Sequence, residues 1–196
     1  MRRSHKMTNI LIVGVGGQGI ILASEIIASV CLKANLDVKQ SEVHGMAQRG
    51  GIVSSQVRFG DIVYSPTIER GKADVLLSFE LLEALRWLDY IHLKGIVIVN
   101  NQRVNPMPVA SGELKYPDNI LEQLQKKCKK VIVVQGQMLA LQAGHIKTVN
   151  VVLLGVLANY LRFNRQDWLE AIRTRIPAKA LEVNIKAFGI GNNIKE

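Results

Sequence analysis

Asn9-Ile10-Leu11-Ile12-Val13-Gly14-Val15-Gly16-Gly17-Gln18-Gly19 decides how the rest of the chain is read. An apolar, β-branched run stops at a glycine loop, and a helical pattern follows at once, with Ile20, Ile21, Ala23, Ile26, Ile27, Val30 and Cys31 on one face. Strand, tight turn and helix in that order suit an anion, because glycine lets the backbone approach a ligand and the helix N-terminus offers unpaired N–H groups. Gly14, Gly16 and Gly19 match G-x-G-x-x-G, with Gly17 as an extra glycine. Three uses stay open from these residues alone. The loop cradles a dinucleotide pyrophosphate, or it binds a single phosphate or carboxylate, or its glycines serve a tight turn against a neighbouring chain. A dinucleotide asks for an acid at the end of the second strand to hold the ribose, and Glu42 falls there. Gln18 can donate and accept, so the loop is expected to meet more than phosphate.

Working outward, Val38 to Val43 reads as a second strand. Ile52 to Phe59, a turn at Gly60-Asp61 and a return through Ile62 to Ser65 read as a short hairpin excursion ended by Pro66. Ala73 to Phe79 and Gly95 to Val99 are apolar strands separated by a helix from Glu80 to Tyr90. Val104 to Pro117 holds three of the five prolines and reads as loop. Asn119 to Lys129 is a basic amphipathic helix, Val131 to Val134 the last strand, and Gly136 to Ala143, Val149 to Leu161, Gln166 to Arg173 and Lys179 to Phe188 are helices. Strands alternating with helices predict an α/β protein with a single open, mostly parallel, Rossmann-like sheet and helices on both faces. Residues 1–7 read as a basic tail and 8–196 as one domain. Ligands on such sheets sit beyond the strands' carboxyl ends, which gathers the Gly14 loop, the Glu42 to Gly51 loop and Ser78 to Glu80 on one edge.

The second loop, Glu42-Val43-His44-Gly45-Met46-Ala47-Gln48-Arg49-Gly50-Gly51, is the densest polar cluster. It offers a carboxylate, a group that titrates near neutrality, an amide and a permanent cation, and Arg49 can clamp a carboxylate or phosphate in a bidentate contact. The plainer reading pairs Glu42 with Arg49 to hold the loop shut. His44 is the candidate acid or base. Ser41 beside His44 makes a weak nucleophile pair, and no G-x-S-x-G elbow is present. His5, His92 and His145 have no ligand spacing with His44, so no metal is expected.

The net charge of +9 is spread over the tail, Lys126 to Lys130 and Arg162 to Arg175, with four Phe and four Tyr in all, so a solvated basic face is a better reading than a nucleic-acid site. Two cysteines, Cys31 and Cys128, cannot supply the four ligands of an iron–sulfur cluster. No apolar run reaches the roughly 18 residues of a membrane span. The expected compartment is the cytoplasm.

Taken together, Gly14 to Ile20, Ser41 to Gly51, Val57-Arg58-Phe59-Gly60, Tyr64-Ser65-Pro66 and Ala73 to Glu80 with Glu83 to Arg86 resemble the gamma-type subunits of 2-oxoacid:ferredoxin oxidoreductases, of the indolepyruvate kind. The resemblance extends over nearly the whole chain after the tail. It implies oxidative decarboxylation of a 2-oxoacid, an aryl pyruvate in this kind, to an acyl-CoA, with electrons passing to ferredoxin. It implies thiamine diphosphate, magnesium, 4Fe–4S clusters and coenzyme A in the complex, bound wholly or mostly by a larger partner, with this chain inactive alone. Gly14, Gly16, Gly17, Gln18, Gly19, Glu42, His44, Gln48, Arg49, Gly50 and Gly51 then line a shared site or the subunit contact. Stoichiometry and self-association of the isolated chain stay open. A free-standing NAD(P)- or flavin-binding protein built on the same glycine loop is the alternative.

Overall fold

In the computed structural model, residues 7–45 and 51–194 are described. Six strands form one sheet in the order β2-β3-β1-β4-β5-β6. They are β1 (Thr8–Val15), β2 (Asp37–His44), β3 (Ile52–Gly60), β4 (Ala73–Ser78), β5 (Ile91–Asn100) and β6 (Lys130–Val134). The helices are α1 (Ile20–Lys33), α2 (Leu81–Arg86), α3 (Met107–Ala110), α4 (Ile120–Lys127), α5 (Gly136–Ala143), α6 (Val149–Ala158), α7 (Arg165–Arg175) and α8 (Ala178–Asn192). Pairings β1–β4, β4–β5 and β5–β6 are parallel, whereas β3 runs antiparallel to both neighbours, β1 and β2.

Period-two alternation along the central strands divides the interior. Ile10, Ile12, Val75, Leu77, Ile98 and Ile132 face a large core with residues of α1, α5, α6, α7 and α8. Leu11, Val13, Leu76, Val97 and Val99 face a smaller one with Leu82, Leu88, Ile120 and Leu124. Both faces are covered, which is why β1 and β4 read as nearly unbroken apolar runs. α6 is apolar all round and buried from Asn150 to Leu157. Among the described residues no single helix is long and apolar enough to cross a membrane.

Three expectations change. The hairpin is made by β2 and β3, with Val38 opposite Phe59 and His44 opposite Val53, and Ile62 to Ser65 form no strand. Both edges of β3 are already occupied by β1 and β2, so no ladder is left for a return strand. The segment is pinned by side chains instead: the Val63 N–H donates to Asp37 Oδ2 at 2.8 Å and the Ile68 N–H to Gln56 Oε1 at 2.6 Å, with Val63 and Ile68 buried. Within the stretch read as loop, Met107–Ala110 makes a short helix with Pro106 as its N-cap and Pro108 in its first turn, where a missing N–H costs nothing. The helix expected over Glu80 to Tyr90 is interrupted at Trp87 and continues as a 3-10 turn, Leu88–Tyr90.

Candidate functional site

The glycine loop lies where the helices after two adjacent parallel strands diverge. α1 leaves β1 for the large core and α2 leaves β4 for the small one. Such a switch point opens a crevice at the strands' carboxyl ends. Each glycine there has its own reason. A Cβ on Gly14 would sit 2.5 Å from Gln18 Oε1 and 2.8 Å from the Phe79 Cβ, so its role is close packing. Gly17 has φ 94° and Gly19 φ 82°, the left-handed region that side chains avoid. A Cβ on Gly19 would collide with Asn150 of α6, 2.6 Å from its Nδ2, whereas one on Gly17 would meet open space.

Gln18 fills the crevice itself. Its Oε1 accepts from the Val15 N–H at 2.9 Å, and its Nε2 points at the Phe79 carbonyl and Gln102 Oε1, both at 3.4 Å. Below it, buried Asn100 donates to the Phe79 carbonyl and to Gln102 Oε1, each at 3.1 Å, and accepts from the Gly136 N–H at 3.0 Å. These amides lock the ends of β1, β4 and β5 and the start of α5 into one polar layer. Gln18 is therefore a staple, and the space between β1 and β4 is closed.

The open space lies on the other side. A cleft of about 490 Å³ is lined by Val15, Gly16, Gly17, Gly19, Ile20, Ile21, His44, Gly45 and Val53. α1 points its N-terminus here, with Gly19 as a cap that carries no side chain and no acid in the first turn. Its leading N–H groups lack intrahelical partners, and its dipole favours an anion. Among the described lining residues His44 is the one titratable side chain.

The two loops do meet. The Gly16 N–H donates to the Gly51 carbonyl at 2.9 Å, and the Gly45 N–H to the Ile52 carbonyl at 2.8 Å. Glu42 and His44 project on one face of β2, two residues apart, with 3.6 Å between Glu42 Oε2 and His44 Nε2. The other Glu42 oxygen accepts from the hydroxyl of Ser24, a buried α1 residue, at 3.1 Å. Gln48, Arg49 and Gly50 lie outside the described residues, and with them the expected Glu42–Arg49 pair. Ser41, an odd number of positions from His44, projects on the opposite face of β2, which removes the nucleophile pair.

The position of Glu42 bears on the dinucleotide reading. A ribose-holding acid belongs on the strand beside β1, but here β3 intervenes and carries β2 about one strand spacing, roughly 5 Å, further away.

Neighbouring Ser78 to Glu80 share the same edge. Glu80 is buried and caps α2, accepting from the Leu82 N–H at 3.0 Å and from the Glu83 N–H. Glu83 is also buried, held by Arg86 Nη1 at 2.8 Å and Trp87 Nε1 at 3.3 Å. Burial raises both carboxyl pKa values above the ordinary glutamate range. Neither lines the cleft. Cys31 and Cys128 lie in the two separate cores, and burial pushes the Cys31 thiol up to about 12 and raises that of Cys128. They do not fit a cluster, and no group of three or more metal-binding side chains gathers among the described residues.

Sequence reading missed Ser24, Asn100, Gln102 and Asn150. Two of them had a faint signal: Ser24 is polar at a core position of an amphipathic helix, and Asn100 follows directly on a buried strand.

A mixed six-stranded sheet with a glycine loop at its switch point and a glycine-rich hairpin beside it defines the class. Residues 9–194 match the pyruvate ferredoxin/flavodoxin oxidoreductase family, and the chain belongs to it. Among individual relatives, it is 42% identical to the indolepyruvate oxidoreductase subunit IorB of Pyrococcus horikoshii over 193 residues, covering 95% of each chain. It is 40% identical to IorB of Thermococcus kodakarensis with the same coverage. The fold is shared with a pyruvate oxidoreductase subunit of Thermotoga maritima, at TM-score 0.72, 19% identity and 96% coverage of both chains. It is also shared with a 2-oxoglutarate:ferredoxin oxidoreductase of Magnetococcus marinus, at TM-score 0.76 and 21% identity, covering 95% of this chain but 30% of that one.

Proposed function

We propose that this chain is the small, cluster-free subunit of an indolepyruvate-type 2-oxoacid:ferredoxin oxidoreductase, and that its glycine-loop cleft forms part of the coenzyme A side of a shared active site. The observation that carries the reading is the end-to-end likeness to IorB, 42% identical over 95% of both chains. In this reading an aryl pyruvate is oxidatively decarboxylated to its acyl-CoA and carbon dioxide, and the electrons leave to ferredoxin, all in the cytoplasm.

The residues of this chain fit some of the expected groups and not others. Two cysteines buried in separate cores do not fit a 4Fe–4S cluster. No Gly-Asp-Gly…Asn segment for magnesium and thiamine diphosphate occurs. Those groups belong on a larger partner subunit. Coenzyme A fits the cleft: unpaired N–H groups at the start of α1 suit a phosphate, and the aliphatic walls Val15, Ile20, Ile21 and Val53 suit an uncharged arm. The chain's contribution is to bind and orient the coenzyme, while carbanion stabilisation comes from the thiazolium when it is bound.

Co-purification of the tagged chain from native extract tests the subunit assignment. The expected result is a stable, larger companion containing iron, sulfide and thiamine diphosphate, with 2-oxoacid oxidation only in the complex. Recovery of the chain alone, with its melting temperature raised by NAD, FAD or FMN, would overturn it in favour of a free-standing nucleotide-binding protein.

A further inference from the structure

We infer that Ser24 and Glu42 are positioning residues that hold His44 at the mouth of the glycine-loop cleft, where its imidazole contacts the anionic part of the cleft's ligand. The inference rests on the coenzyme reading of that cleft, and deepens it by naming the side chain that meets the ligand and the two that aim it.

The geometry comes from matching a helix row to a strand row. Residues three apart on a helix lie on one face about 4.5 Å apart along the axis, and residues two apart on a strand lie on one face about 6.6 Å apart. Ile21 and Ser24 form the helix row, and His44 and Glu42 the strand row. The result is that Ile21 and His44 both line the cleft while Ser24 and Glu42 meet one level below it, at 3.1 Å.

Ser24 is completely buried, so its hydroxyl cannot turn to water. Its single proton lies within reach of two acceptors, the Ile21 carbonyl at 2.8 Å and Glu42 Oε1 at 3.1 Å. A serine within a helix bonds back to its own backbone by default, at some cost to the helix. Here the carboxylate shares that proton, which fixes one oxygen of Glu42 and leaves the other 3.6 Å from His44 Nε2. Among the described residues, the remaining charged groups nearby are otherwise engaged. Glu25, next along α1, faces Arg175 of α7, and Lys39 pairs with Asp37 at the far end of β2. From β3 the residues paired with Glu42, Val43 and His44 are Ser55, Ser54 and Val53, none of them charged. Glu42 is thus the charge that orients the imidazole among the described residues.

A histidine aimed this way can donate a hydrogen bond or, when protonated, a charge-assisted one to a phosphate or thiolate above the α1 N-terminus. It would thereby complete an anion site that otherwise has, among the described residues, backbone donors alone.

A double-mutant cycle in the assembled enzyme tests this. His44→Gln is expected to raise KM for coenzyme A about tenfold, the size of a lost hydrogen bond to a charged group, with kcat nearly unchanged. Ser24→Ala should raise the same KM by roughly threefold, Ser24→Thr should restore it, and Ser24→Ala combined with His44→Gln should be no worse than His44→Gln alone. Unchanged thermal unfolding of each complex keeps folding defects out of the comparison. Effects of Ser24→Ala and His44→Gln that multiply would overturn the positioning role, as would a Ser24→Ala variant with unaltered KM. A non-additive cycle that appears in KM for the 2-oxoacid instead would uphold the positioning and overturn the coenzyme assignment.

Discussion

At the scale of single residues, the four glycines of the loop are not interchangeable. Gly14 has an ordinary backbone but no room, while Gly17 has room but a left-handed backbone. Substituting Gly17 by Ala costs backbone strain of about 1–2 kcal/mol and leaves the fold intact. Substituting Gly14 by Ala displaces Gln18, and with it the staple to Phe79 and Gln102, so it should destabilise by more. Urea unfolding of the two variants checks the order, and a Gly17→Ala variant less stable than Gly14→Ala would contradict it. All of these glycines were legible as a motif. Which of them turns, which packs and which faces the cleft was not, because that depends on Phe79 and Asn150, which are distant in sequence.

At the scale of elements, α6 and α8 make the most extensive helix–helix contact among the described residues. A Cβ on Gly155 would lie 2.3 Å from the Phe188 carbonyl oxygen, and one on Gly191 would lie 2.0 Å from that of Val152. Backbone atoms rather than flexible side chains occupy both places, so neither can yield without moving a helix. Gly155→Ala is expected to cost about 2–3 kcal/mol, at the upper end of overpacking effects, and to lower the melting temperature by several degrees. A change in urea midpoint indistinguishable from wild type would sink the idea. Both elements were expected as helices, but Gly155 sits inside an apolar run where sequence offers no reason to prefer it over alanine. The misread return strand at Ile62 to Ser65 has a similar origin. Its composition suits a strand, yet strand formation needs a free edge, and pairing of β3 on both sides takes it away.

At the scale of the whole molecule, the contribution of Glu80 and Glu83 to stability should fall as pH rises above the ordinary glutamate value of about 4.3. Glu80 and Glu83 are buried with raised pKa values, so the folded protein holds protons there that the unfolded chain has lost. Their contribution is present below the unfolded pKa and is lost as pH rises through the folded one. Asp37, Asp89 and Glu170 act oppositely: lysine partners lower their pKa values, so their contribution is lost in acid, though solvent screens these exposed pairs. Glu83→Gln removes one titrating group, so the stability difference between wild type and variant should shift against wild type between pH 4 and the folded pKa. A difference that stays constant over that range would show that Glu83 does not carry the proton.

The chain by itself determined the strand–loop–helix unit, the α/β class, the lack of cluster ligands and the family resemblance, since each rests on local pattern, residue counts or linear motifs. Tertiary structure decided what the glycine loop faces. Insertion of antiparallel β3 between β1 and β2 moves Glu42 away from a ribose position, and Gln18 closes the crevice between β1 and β4. What remains open is a cleft bounded by α1, β3 and His44, with Glu42 turned toward Ser24. Strand order and buried side-chain pairing are non-local, fixed by which surfaces pack together, and no window of sequence around Gly14 contains them.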